Sequence, residues 1–129
     1  MIREATREDV KVVNELVQAA ARRCNVEEGV GVPIDPPTID AILRYHIRHK
    51  DAVVFVNEED GVVDSFFVGA LQPFYLDIRR HVAHEKISGG PKQEELWKKF
   101  EKWANEQDAP ACVRGCYDPE EGSRFRRME

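Results

Sequence analysis

The residues best able to do chemistry in this chain of 129 are few: four histidines and three cysteines. His81 and His84 are three apart on a segment that reads as extended. On a strand that spacing sends the two rings to opposite faces. No third ligand follows, so two surface imidazoles describe them better than a metal pair. His46 and His49 have helical spacing but no carboxylate or cysteine at ligand distance in sequence. They read as a half-exposed helix edge. Cys112-Val113-Arg114-Gly115-Cys116 has one residue too many for a thioredoxin-like pair. On a strand its two sulfurs would lie on one face but on the order of 13 Å apart, too far for a disulfide. Both read as small buried hydrophobes, as does Cys24. Trp97, Phe100 and Trp103 resemble an aromatic cage only superficially. Their spacing makes Phe100 and Trp103 core, with Trp97 at the rim or against a partner. Arg124, Arg126 and Arg127 read as cations complementing a helix C-terminus.

These side chains must be positioned by alternating elements. Ile2 to Ala5 reads as a short strand. Thr6, with Asp9 three residues on, is a capping-box variant. Val10, Val13, Leu16, Val17, Ala20 and Ala21 then predict a helix to about Cys24. Gly29 to Pro37 breaks the pattern, and Thr38 is expected to cap a second helix with Ile39, Ile42, Leu43 and Ile47 on one face. Val53 to Val56 and Val62 to Leu71 read as strands joined by a turn over Asn57 to Gly61, with Pro73 ending the second. Phe66 and Phe67 must face opposite ways. Phe74 to Val82 suggests more extended chain with a turn near Asp77 to Arg80.

Gly89-Gly90-Pro91 opens the clearest helix. Proline suits a first helical position, and Glu94 and Glu95 suit the positive end of the dipole. Leu96, Phe100, Trp103 and Ala104 form its buried stripe. Ala111 to Tyr117 reads as a strand, and Asp118-Pro119-Glu120-Glu121 as the start of a last helix. The order is strand, two helices, three strands, helix, strand, helix. It predicts a single domain over 1–129 of α/β class, a mixed, largely antiparallel sheet with helices on both faces.

Composition narrows function by exclusion. Hydrophobic residues are 42% and charged residues 33%, an ordinary globular balance. Nineteen basic against 24 acidic side chains give a net charge of −5 without long like-charge runs, which argues against nucleic acid or a membrane as partner. No apolar stretch approaches a membrane span, the first residues lack the order of a signal peptide, and the odd cysteine count suits a reducing cytoplasm.

The element order and several segments together resemble the GCN5-related N-acetyltransferase (GNAT) family. Ile2 to Asp9 resembles its first strand and helix cap. Asn57 to Gly69 resembles its central hairpin. Gly89-Gly90-Pro91 through Phe100-Glu101-Lys102-Trp103-Ala104 resembles its pyrophosphate loop and following helix, and 105–110 the entry to its fifth strand. The Gly-Gly spacing before the Trp-Ala helix is most similar to small acetyltransferase-like proteins of bacteriophages. The resemblance implies a GNAT-like sheet, apparently truncated after the fourth helix.

It also implies acetyl-CoA as cofactor, held by Ile87, Ser88, Gly89, Gly90 and Gln93. In such a loop successive N–H groups at a helix N-terminus face the diphosphate, and glycines let the backbone come close. The family pattern there is Gln/Arg-x-x-Gly-x-Gly/Ala. Anchored on Trp103-Ala104, this chain places Ser88, Pro91 and Gln93 at its three signature positions. Pro91 has no N–H to give. The resemblance further makes Glu85 the candidate base for the substrate amine, directly or through water, while an alternating strand would simply turn it to solvent. The family's acidic tyrosine has no counterpart in Ser123 to Arg127. Tyr117 is the nearest, but it precedes the expected helix.

Two functions remain open. One is an N-acetyltransferase using acetyl-CoA. The other is a degenerate relative, without cofactor, that keeps the scaffold for binding or assembly, for instance in a phage particle. If the sheet stops early, the fifth strand has an open edge, and a homo-oligomer or a protein partner is expected there.

Overall fold

Asp60 and Gly61 both take positive φ, 53° and 79°. That geometry matches the twist of the strands it joins, and it closes the hairpin where the sequence places it. The hairpin is β2 (Ala52–Glu59) and β3 (Val62–Phe74), to which β1 (Ile2–Glu4) and β4 (Asp77–Gly89) add on either side, all antiparallel. This computed structural model describes residues 1–29, 31, 33–74 and 76–114, and the backbone of 117–118, 122–123 and 126–127. β3 passes through Pro73 instead of ending at it. The proline sits opposite His81 beside a register irregularity, where a missing N–H is tolerated. The reversal into β4 therefore precedes Asp77 and does not span it.

Helix α1 (Val10–Glu28) runs beyond the expected Cys24 and stops at Gly29, whose φ of 64° is left-handed. Its entry is fixed by one carboxylate. Asp9 Oδ2 accepts the Thr6 N–H at 2.7 Å and Arg3 Nη1 at 2.7 Å. Helix α2 (Pro36–Arg48) starts at its proline pair after Asp35, two residues before the expected Thr38 cap, because proline is preorganised for the first turn. Helix α3 (Gln93–Glu106) crosses over to β5 (Cys112–Arg114), which lies parallel to β4.

Side chains of alternating register divide between the two faces. Val54, Val56, Phe66 and Val68 pack under α1 and α2 with Val10, Val13, Val17 and Leu43. Val53, Phe55, Phe67 and Ala83 pack under α3 with Leu96, Trp97, Phe100 and Ala104. Phe66 and Phe67 are thus both core, on opposite sides. The result is a mixed, largely antiparallel sheet with helices on both faces, as the sequence predicts.

The chain after β5 departs from expectation. The described residues form no fourth helix. Tyr117–Asp118 (β6) pairs with Gly122–Ser123 (β7), and Arg126–Arg127 (β8) pairs with β5. The expected cap at Asp118 is extended backbone in β6, and 119–121 lie outside the described residues. Arg126 and Arg127 lie on a strand and not at a helix C-terminus. They pair with Arg114 and Val113, so the outer edge of β5 is covered at two positions instead of fully open.

Candidate functional site

The candidate residues converge where β4 leaves β5. Among the described residues the parallel pairing covers Ala83–Cys112 and His84–Val113. Beyond it, β4 continues to Gly89 with pairing to β3 alone among the described residues. In this stretch Glu85 faces Gly69 and Ile87 faces Val68, which makes Lys86 an extra, bulged residue. The bulge resets the alternation. Glu85 and Ser88 lie on the α3 face, whereas Ile87 turns to the other face and packs into the α1/α2 core.

Glu85 is not the solvent-facing residue that simple alternation suggests: its relative exposure is 0%. Ser88 Oγ donates to Glu85 Oε2 at 2.8 Å, and Gln93 Nε2 donates to Ser88 Oγ at 2.7 Å. Arg114 Nε lies 3.9 Å from Glu85 Oε1. Its two terminal nitrogens reach both oxygens of Glu94, at 2.7 and 3.3 Å, and its Cζ sits 4.9 Å from the Trp97 ring centroid. Gln93, Ser88, Glu85, Arg114 and Glu94 therefore form one polar chain from the loop to the first turn of α3.

The loop closes around a glycine. Gly90 has φ 104°, and a Cβ on it would run into Ser65 and the Asp64 carbonyl. That close approach lets the Lys92 N–H donate to Ser65 Oγ at 3.0 Å. The Gln93 N–H donates to the Gly90 carbonyl at 3.3 Å. Glu94 and Glu95 fill the first turn of α3. Ser88, Gly89, Gly90 and Gln93 thus lie together at this loop, with Ile87 directed away from them.

Three residues of this constellation were not singled out from the sequence as site residues: Arg114, Glu94 and the site-facing role of Trp97. Trp97 is 2% exposed and no rim residue. An arginine ending the short apolar run Cys112-Val113-Arg114, with Glu94 and Trp97 three apart on one helix, is the signal that could have found them.

The other candidates lie apart. His84 pairs with Ala70 and His81 with Pro73, on opposite faces. His81 lines a surface hollow of about 380 Å³ with Asp51, Arg79 and Arg80, at the other end of β4. Burial holds the His84 and His46 imidazoles below their usual range, with Lys86 adding to it, and His46 Nδ1 contacts the Ile42 carbonyl at 2.8 Å. Cys112 is half-buried against the α3 cluster, and burial raises its thiol to about 11. The side chains of Tyr117, Cys24 and Cys116 lie outside the described residues. No group that could hold a metal ion occurs among the described residues, nor any helix long and apolar enough to cross a membrane.

Neither the family models nor the curated proteins contain a match to this sequence. Solved structures do match. An acetyltransferase from Vibrio fischeri superposes with a TM-score of 0.71 at 14% identity, over 98% of this chain and 99% of that one. The fold is the GNAT acetyltransferase fold. A predicted acetyltransferase from Clostridium acetobutylicum, solved with acetyl-CoA, gives 0.67 at 14% identity over 88% of this chain and 79% of that one. A ribosomal-protein-alanine N-acetyltransferase from Brucella melitensis biovar Abortus 2308 gives 0.67 at 13% identity over 95% and 84%.

Proposed function

We propose that this chain is a non-catalytic relative of the acetyltransferases, a scaffold that binds or assembles and does not acetylate. One observation carries the reading. Two of the loop amides that would face a diphosphate are engaged within the protein, Lys92 with Ser65 and Gln93 with Gly90, and Pro91, which lies before them, has no N–H to give. The residues do not fit a coenzyme A diphosphate as arranged. Glu95 adds negative charge in the first turn of α3, where an anion would have to approach, while the charge of Glu94 is paired with Arg114. Two charge-assisted hydrogen bonds, at about 1.5–3 kcal/mol each, correspond to roughly two to four orders of magnitude in Kd. Calorimetric titration with acetyl-CoA tests the reading. No saturable heat is expected, and micromolar binding would overturn it.

The partner this reading calls for is a second copy or another protein at the β5 side of the sheet, in the cytoplasm or in a phage particle. Light scattering of the purified chain should show an oligomer, or a monomer that acquires a partner. A second reading is an active N-acetyltransferase with acetyl-CoA as cofactor, supported by the fold and by pairing of β4 with β5 that, among the described residues, goes no further than His84. Glu85 would then be the base and Tyr117 the acid. Against this, Glu85 has no exposure and already accepts from Ser88. Turnover of acetyl-CoA on any amine would favour this second reading.

A further inference from the structure

The hollow at the other end of β4 lies away from both the Gly90 loop and Glu85. At about 380 Å³ it falls at the small end of the range for ligand pockets, about 300–1,000 Å³. Separate stretches of chain build it: Asp51 before β2, Leu71 on β3, Arg80 and His81 on β4, and Asp108 and Pro110 between α3 and β5. We infer that this hollow is a binding site for a short peptide with both ends charged, taken up in extended form along the edge of β4.

The first support is the backbone. The Leu71 N–H donates to the Asp51 carbonyl at 2.8 Å, toward β2, and the Ala83 N–H donates to the Ala111 carbonyl at 3.0 Å, toward β5. Backbone groups two residues apart on a strand share an edge, so the His81 N–H and carbonyl also point to the β5 side. Among the described residues the β4–β5 ladder starts at Ala83, and no hydrogen bond meets the His81 backbone there. A donor and an acceptor are thus offered side by side at a strand edge, the pattern by which an extended peptide adds to a sheet.

The second support is charge. Arg80 brings a cation to the hollow and Asp51 and Asp108 bring carboxylates, yet among the described residues no ion pair joins either aspartate to Arg80 or His81. Opposite charges that line one hollow without meeting match a ligand that carries both, a carboxylate for Arg80 and an ammonium for the aspartates. A ligand of one sign would face like charge on the opposite wall. The His81 ring can give or take a further hydrogen bond. The aspartate wall is also fixed in place: the Asp108 N–H donates to the Asn105 carbonyl at 3.1 Å and the Ala109 N–H to that of Ala104 at 3.0 Å, which ties the connection to the end of α3.

The inference does not rest on the proposed function, since neither the loop nor Glu85 takes part. Calorimetric titration of the whole chain with alanylalanine tests it, beside the capped, uncharged N-acetylalanylalanine amide. Arg80→Gln and Asp108→Asn are titrated in the same way, with circular dichroism confirming the fold. Both alter exposed side chains, and asparagine tolerates the left-handed backbone of position 108, whose φ is 57°. We expect alanylalanine to bind the wild type saturably with a Kd of about 1 mM or tighter, and at least about tenfold more weakly in each variant. The capped peptide should bind the wild type at least about tenfold more weakly too, and the His81 amide should move in NMR spectra on adding the free one. No saturable binding by the wild type, equal affinity for free and capped peptide, or unchanged affinity in either folded variant overturns the inference. So do NMR shifts confined to residues outside the hollow. Micromolar acetyl-CoA binding overturns the proposed function and leaves this site to be judged by the dipeptide alone.

Discussion

The two faces of the sheet solve the same packing problem with different materials. Under α1 and α2 the core is mainly aliphatic, with valines on both strands and helix and a single phenylalanine. Under α3 it is aromatic: Phe67 and Phe100 lie 4.6 Å apart, Trp97 and Phe100 5.7 Å, Phe100 and Trp103 5.4 Å. The aromatic face also buries a carboxylate with no exposure, Glu85, whereas the carboxylate buried at the entry to α1, Asp9, is paired with Arg3. On the α3 face the rings that hold the core also hold the polar chain, so packing and any binding there cannot be altered separately. Gly69 illustrates the tightness, since a Cβ there would collide with the Phe100 ring.

The strongest challenge to this contrast is Phe100→Ala. It should cost about 3–5 kcal/mol by urea unfolding and also loosen the site, because the ring touches Trp97. If Val56→Ala costs as much, the faces are energetically alike and the distinction fails. Next is Glu85→Ala, which removes the acceptor of Ser88 and the inner partner of Arg114. A loss of about 1–3 kcal/mol is expected in denaturant melts, and a stabilised variant would mean that the carboxylate is not matched to its surroundings.

The third prediction concerns the aliphatic side. Burial depresses the folded-state pKa of His46. The unfolded chain therefore binds the proton more readily, and stability falls as pH drops below about 6.5 toward the folded value. Thermal melts from pH 7 to 5 should show this decline, and it should be shallower in His46→Asn. An identical slope in the variant would remove His46 from the account. The smallest effect belongs to the exposed Arg44–Asp40 pair at 2.8 Å. Asp40→Asn should shift stability by no more than about 0.5 kcal/mol, and a larger shift in the same melts would show α2 to be more strongly coupled to the core than its exposed face suggests.

Much of the scaffold was legible because it is written locally. The Thr6–Asp9 cap, the Asp60-Gly61 turn and the stripe Leu96, Phe100, Ala104 are short-range signals, and each element formed where they stand. Glu85 was legible as a residue of β4 but not as a buried one. Alternation sets Glu85 in phase with Ala83, but the cover that α3 lays over that face is a tertiary contact, which sequence periodicity does not report. Arg114 was missed for the same reason: its partners lie 20 residues back on α3 and on β4, joined only by tertiary contact. Asp118-Pro119 looked like a helix start because capping residues are also turn residues, and Tyr117–Asp118 pairs in a short hairpin instead.

The bond between the Lys92 amide and Ser65 has an evolutionary corollary. It links two sites 27 positions apart, and it exists only because Gly90 lacks a side chain between them. Replacing Ser65 alone would free one amide but leave the imino acid at 91 in place, and replacing Pro91 alone would leave the neighbouring amide occupied. On the non-catalytic reading proposed above, a diphosphate-gripping loop would need coordinated changes in two separate stretches of the gene, so single-substitution libraries should return no acetyl-CoA binder.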